Sequence, residues 1–264
     1  VRNRHDLSSL KMIIHGAAPC PIHVKRAMME WVGPIIYEYY GGTEGGACNA
    51  TPQEWLQRPG TCGKPLDGVE MQLAEDGEIL IRSPGVFRGY LHDEAGTRAT
   101  LSGDGWLSTG DIGQLDDAGE LMIVDRKKAI IITSGGKNVA PSEIENALKD
   151  SPFVREAIVV GEGRKFLGGL IQIDFDSVGR WAAEQDLPYT TFKSLTQLPE
   201  VVRLVQGVVD EVNARFARVE NVRRFVLLEK ELDHDDGELT ATQKVRRGLI
   251  NKKFGRELEL IYGD

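Results

Sequence analysis

The sequence predicts an α/β layer, then a small β-barrel, then a separate and smaller α+β domain, with the changes falling near residues 59 and 127. Three observations carry that prediction. Two strand-like runs, "LKMIIHG" and "PIIYEYY", flank a short helical stretch, and each ends in a loop of small residues. From about 60 to 127, alternating apolar and polar residues recur around Asp-Gly turns, which is the pattern of repeated hairpins. Beyond 128 a long helical stripe lies among short apolar strands, the texture of a mixed domain with its own core.

The elements follow in order. Residues 10–16 read as a buried strand, "GAAPCP" as a turn, and Val24 to Trp31 as a short helix. "PIIYEYY" carries the branched and aromatic residues that strands favour. It runs into "YYGGTEGG", residues 39–46. Four glycines there argue against a helix or a well-packed strand, so a loop is expected. Both loops of this layer leave from strand ends, where α/β sheets tend to bind ligands. "VEMQLAEDGEILIRS" and "GQLDDAGELMIVD" are the two hairpins of the expected barrel or folded sheet.

The charged "DRKK" marks the junction, and the last domain is expected to span 128–264. There a strand, a Gly-Gly turn and a helix are expected in turn. Pro141 suits a first helical turn, where its missing N–H is not needed, and Ile144, Ala147 and Leu148 share one face. "EAIVVGEG" and "LGGLIQIDF" read as strands. In "PEVVRLVQGVVDEVNARFARV" the residues Val201, Val205, Val208, Val209, Val212 and Phe216 fall at helical spacing. "VRRFVLLEKEL" is a closing strand, followed by the polar loop "DHDDGELTATQK" and a basic helix.

Composition narrows the class. With 264 residues, 41% hydrophobic and 27% charged, the chain suits a globular protein with more than one core. A net charge of −8 argues against nucleic acid as a partner. No apolar run approaches membrane-spanning length. Cys20, Cys48 and Cys62 lack metal-ligand spacing and suit reduced thiols in the cytoplasm. The five histidines form no metal set and are assigned to surface or packing. "SGGKN" lacks the spacing of a Walker loop, and "DHDDGE" is too short for a calcium loop. The opening "VRNRHDL" has no initiator methionine, which suggests a piece of a longer chain.

The chemistry centres on "YYGGTEGG". Glycines allow a ligand close to the backbone, and an aromatic ring offers a surface for a base. A threonine hydroxyl can bond phosphate, while a glutamate offers hard oxygens to Mg²⁺. An ordinary turn closing a strand accounts for the same octapeptide by itself.

Four further stretches fit with it. "HGAAP", "YGGTE", "GWLSTGD", "DRKKAIIITSGGKNVAPSEIE" and "GELTATQKVRR" together resemble the adenylate-forming superfamily of acyl-CoA synthetases, aryl-CoA ligases, luciferases and peptide-synthetase adenylation domains. They occur in that family's order. The stretch from Leu187 to Leu232 looks most like the insertion of bacterial long-chain fatty acyl-CoA synthetases. The resemblance implies the end of a large α/β adenylation domain with its small barrel, followed by a mobile carboxyl-terminal domain.

It also implies the reaction: ATP and a fatty acid give acyl-AMP and pyrophosphate, and coenzyme A then displaces AMP. In that scheme Glu44 ligates Mg²⁺ and Thr43 contacts phosphate. Tyr40 lies at the adenine, beside the backbone of Gly16, Ala17 and Ala18, and Gly41 belongs to the same nucleotide-binding set. Asp111 accepts from the ribose hydroxyls, and Arg126 donates to ribose or phosphate. Lys244 bridges the two reacting anions, Lys128 is the hinge, and Gly135 and Gly136 flank the pantetheine path. The partners implied are small molecules, with peripheral membrane contact compatible with a long-chain substrate and the oligomeric state open. The sequence departs from the family at Ala241, where proline is common, and contains no Ser/Thr/Gly-rich phosphate loop. The chain alone is therefore expected to be inactive. The alternatives are a non-catalytic nucleotide-binding or interaction module, an aryl-CoA ligase, or a carrier-protein-loading enzyme.

Overall fold

The structure, a computed structural model, describes residues 5–240 and 245–263. The chain divides into two compact units, residues 1–128 and 129–264.

The first unit opens with β1 (Ile13–His15), α1 (Ile22–Val32) and β2 (Ile36–Gly42). The strands pair in parallel, with His15 opposite Glu38. This is the expected strand–helix–strand, but β1 is shorter and less buried than "LKMIIHG" suggests. It is an edge strand with Ile13 and His15 half-buried and Ile14 66% exposed.

β3 (Gly45–Ala50) returns antiparallel to β2, and β4 (Lys64–Pro65) completes the order β1-β2-β3-β4. The expected glycine loop is thus a hairpin. Gly41 pairs with Gly46 and Gly42 with Gly45, which leaves only Thr43 and Glu44 at the turn. The reason is close approach: a Cβ on Gly41 would sit 2.8 Å from the Gly46 Cα, so the strands pass where no other residue fits. After β3, α2 (Pro52–Gln57) starts on a capping box between Thr51 and Glu54 and buries Trp55.

Four strands then form a second sheet in the order β5 (Glu70–Leu73), β6 (Glu78–Arg82), β7 (Leu107–Leu115) and β8 (Leu121–Arg126). All neighbours are antiparallel. This sheet is an open meander rather than the expected barrel, because β5 and β8 at its two edges do not pair with one another. Short α3 (Glu94–Thr100) sits between β6 and β7, capped by Asp93. Ile79, Ile81, Leu107 and Leu121 pack with Ala47 and Cys48 of β3 and with Cys62 just before β4, so both sheets share one core.

The second unit begins with a small hairpin, β9 (Ile131–Ile132) and β10 (Asn138–Val139), and then α4 (Pro141–Lys149). Its sheet has the order β11 (Val154–Val160), β12 (Leu167–Ile173), β13 (Val222–Leu227). Every residue of central β12 is buried. One face carries Leu167, Ile171 and Ile173 against α4, α5 (Phe175–Glu184) and α7 (Pro199–Asn213). The other carries Leu170 against Ile250 of α8 (Arg247–Lys253) and Ile261 of α9 (Gly255–Tyr262). On α7 the buried residues are Val201, Val205, Val209 and Val212, the stripe that the sequence pattern marks. The helix ends before Phe216, and the expected single basic helix is two, breaking at Phe254. Helix α5, capped by Asp174 on the Ser177 N–H, and the five-residue α6 (Phe192–Thr196) were not expected. Among the described residues no helix is long and apolar enough to cross a membrane.

Candidate nucleotide site

The tip of the β2–β3 hairpin presents Thr43 and Glu44. The Thr43 hydroxyl donates to Glu44 Oε2 at 2.9 Å, and the Tyr90 hydroxyl donates to Glu44 Oε1 at 2.8 Å. These donors, Tyr90 first and then Thr43, hold the carboxyl below the usual glutamate range. The result is an ionised carboxylate at an accessible turn. Among the described residues no group of three or more His, Cys, Asp or Glu could hold a metal by itself. A lone carboxylate still fits Mg²⁺, which is bound through one or two carboxylates together with substrate phosphates.

Strand pairing builds a second cluster. Asp111 on β7 lies opposite Arg126 on β8, and Arg126 NH1 meets Asp111 Oδ1 at 2.8 Å. Across the core, the Tyr40 hydroxyl donates to Asp111 Oδ2 at 2.7 Å. Burial pushes the Tyr40 phenol well above its ordinary value, so it stays a donor. Asp111 is 13% exposed and Arg126 68%, which places an acceptor at the rim with an exposed cation beside it. Arg126 also acts electrostatically on Glu44. Tyr40, Asp111, Arg126 and the Thr43–Glu44 turn therefore belong to one region of the first unit.

The Gly16–Ala18 turn follows β1 directly. A Cβ on Gly16 would lie 2.3 Å from the Tyr39 ring, so glycine is required where that ring covers the turn. Ala17 has φ +64°, an uncommon conformation for alanine. Beneath the turn lies a charged network that the sequence does not flag. His15 Nδ1 is 2.8 Å from Glu38 Oε1, and Glu38 also pairs with Lys25. Lys25 is 2% exposed and sits 4.7 Å from the centre of the Trp55 ring. His15 is thus a hydrogen-bonded partner beneath the turn rather than a surface or packing histidine. Burial raises the Cys20 thiol and pushes Cys48 and Cys62 up to about 12, which disfavours the thiolate at all three.

Lys128 stands at the end of the first unit, inside a short 3₁₀ turn over Lys127–Ala129. Its neighbour Lys127 pairs with Asp76 and Glu78 at 2.6 and 2.7 Å. In the second unit Gly135 and Gly136 form the turn between β9 and β10, with Gly136 at φ +75° and its N–H donating to Thr133 O at 2.9 Å. Lys244 lies outside the described residues. The residues bracketing its stretch are fixed: Leu239 bridges Val245, and Arg246 N donates to Glu238 O at 2.8 Å. Glu238, almost wholly buried, takes Lys230 at 2.9 Å and Lys253 at 3.3 Å. Arg247 pairs with Glu145 of α4 and donates to Val159 O at 3.0 Å, while Glu145 accepts from Val159 N at 2.7 Å. Strand β11 is at the sheet edge, so this side-chain pair satisfies an outward N–H and C=O that no strand reaches.

Residues 1–91 match the AMP-binding enzyme family and residues 128–264 the AMP-binding enzyme C-terminal domain, and the chain belongs to the AMP-binding enzyme family. It is 40% identical over 235 residues to the long-chain-fatty-acid–CoA ligase FadD15 of Mycobacterium tuberculosis, covering 87% of this chain and 38% of that protein. It is 33% identical over 274 residues to the human long-chain-fatty-acid–CoA ligase 6, covering 96% and 38%. The chain therefore spans well under half the length of these relatives. Among solved structures, the amide bond synthetase McbA from Marinactinospora thermotolerans superposes with a TM-score of 0.70 at 26% identity, covering 96% of this chain and 49% of that one. The o-succinylbenzoate CoA synthetase MenE from Bacillus subtilis, in complex with its acyl-adenylate intermediate, gives 0.71 at 25% identity, covering 92% and 46%. These neighbours share the mixed α/β content described above.

Proposed function

We propose that the chain forms part of an ATP-dependent ligase that activates a long-chain fatty acid as acyl-AMP and passes the acyl group to coenzyme A. The observation that carries this reading is the Tyr40–Asp111–Arg126 cluster beside the Thr43–Glu44 turn. Relatives named as long-chain-fatty-acid–CoA ligases support the substrate class. A related MenE structure holding ATP and magnesium supports the nucleotide and the metal.

In this reading Asp111 accepts from the ribose hydroxyls, a task for a group with only acceptors. Tyr40 lies at the adenine while its hydroxyl fixes the orientation of that carboxylate, and Arg126 offers a cation to ribose or phosphate. The Gly16–Ala18 backbone lies at the adenine, Gly41 is part of the nucleotide-binding set, and Thr43 donates to a phosphate oxygen. Glu44 is the residue that would hold Mg²⁺, which when bound neutralises phosphate charge. Lys244 donates to both reacting anions as the acyl–phosphate bond forms. The second unit turns about Lys128, exchanging Lys244 for the Gly135–Gly136 turn, which then flanks the thiol's path.

The test uses the protein expressed from its whole coding sequence, assayed with ATP, Mg²⁺, coenzyme A and a ladder of fatty acids. Acyl-CoA formation with a long-chain optimum is expected. AMP binding without pyrophosphate exchange on any carboxylic acid would instead identify a nucleotide-binding module.

A further inference from the structure

We propose that Tyr90 is a positioning residue for the Glu44 carboxylate, and that the segment 87–92 sets how tightly a divalent cation is held there. This rests on the reading that Glu44 meets the cation.

One short segment grips both ends of the same glutamate. Phe87 N donates to Glu44 O at 2.7 Å, and three residues later the Tyr90 hydroxyl donates to Glu44 Oε1 at 2.8 Å. The Phe87 and Tyr90 rings meet edge to face at 4.8 Å, which fixes the line along which the hydroxyl points. The backbone is held just as firmly. Tyr90 N donates to Thr97 Oγ1 at 2.9 Å, and that hydroxyl donates to Asp93 O at 2.8 Å. Residues on either side of Tyr90 adopt left-handed backbone, Gly89 at φ +143° and His92 at φ +57°. A Cβ on Gly89 would lie 2.7 Å from Thr97 Cγ2. A non-glycine residue such as His92 keeps a sparsely populated conformation only when its surroundings impose it.

The Glu44 oxygens have different partners, Thr43 on Oε2 and Tyr90 on Oε1. Together they select one rotamer of a side chain that would otherwise swing freely at a hairpin tip. Each oxygen keeps a further lone-pair site for a hard cation. Mg²⁺ tolerates little departure from octahedral geometry, so a carboxylate held in one place binds it better than a rotating one. When a nucleotide phosphate takes the single Thr43 proton, the Tyr90 hydroxyl is the donor that still orients Glu44, and removing it permits rotation.

Mn²⁺ is the probe, titrated by electron paramagnetic resonance into the protein from its whole coding sequence with a non-hydrolysable ATP analogue present. Tyr90→Phe is expected to raise the Mn²⁺ dissociation constant about five-fold, the worth of one modest hydrogen bond, and to leave the KM for coenzyme A in thiolysis of supplied acyl-AMP unchanged. An unchanged or lower dissociation constant overturns the proposal. Glu44→Gln separates the two ideas. If it leaves Mn²⁺ binding intact, the reading of Glu44 fails and Tyr90 falls with it. If it weakens binding while Tyr90→Phe does not, the Tyr90 proposal alone is wrong. Should Tyr90→Phe fold poorly, Thr97→Val, which frees the Tyr90 N–H, is measured instead with the same expected sign.

Discussion

Asp111 can be tested most directly because its two oxygens already have different partners, Tyr40 and Arg126. Asp111→Asn keeps the shape but turns one acceptor into a donor facing the Tyr40 hydroxyl. AMP binding, measured by calorimetry, is expected to weaken at least ten-fold, roughly the worth of a lost charge-assisted bond. Tyr40→Phe is expected to cost less, because Arg126 still orients the carboxylate. Equal affinities for wild type and Asp111→Asn would remove Asp111 from the site. At this scale the sequence shows its polar residues but not their distant partners. Tyr90 stands 46 positions from Glu44, and no local pattern marks it. Lys25 reads as a solvated helix lysine until Glu38 and Trp55 are seen to enclose it. A stretch such as "YGGTE" could be read because its chemistry is contiguous.

Elements were legible where one face dominates. The valine stripe of α7 and the run of β12 follow directly from helical and strand periodicity. The glycine hairpin was not, because counting glycine's entropy ignores the gain when two backbones must touch, as Gly41 and Gly46 do. Gly41→Ala is expected to lower the melting temperature and to weaken AMP binding together, since the added methyl pushes β2 off β3. A variant that melts like wild type would show that the strands can separate without loss. Helix α4 supplies a pH prediction. Burial raises the Glu145 carboxyl to about 7, against the opposing pull of Arg247, the Val159 N–H and Lys149. The folded chain then keeps a proton that the unfolded chain releases near its ordinary value of 4.5. This group's contribution is therefore greatest below that value and declines as pH rises towards 7. Denaturant midpoints at pH 5 and 8 are expected to differ less in Glu145→Gln than in wild type.

At the scale of the molecule, the two units divide the proposed chemistry between them. Asp111, Glu44 and the adenine turn belong to residues 1–128, while Lys244 and the Gly135–Gly136 turn belong to residues 129–264. In the protein from its whole coding sequence, Lys244→Ala is expected to abolish pyrophosphate exchange while sparing thiolysis of supplied acyl-AMP. Equal loss of both half-reactions would count against a turn about Lys128. The switch from hairpins to a mixed domain near "DRKK" is visible in the amino acids, because hydrophobic period and turn chemistry change there. The open form of the second sheet is not, since hairpin spacing says nothing about whether the outer strands meet.

The Glu145–Arg247 pair does more than hold α8 near the sheet. It occupies the Val159 backbone groups on the β11 edge, within the buried apolar run Ala157–Val160; such an edge, once uncovered, is the kind of template on which a foreign strand can grow. Arg247→Ala should uncover the Val159 carbonyl and leave a buried carboxylate without its cation. Light scattering at elevated protein concentration would then register self-association that wild type resists. An arginine at the start of a basic helix thereby closes a sheet edge as well as adding charge.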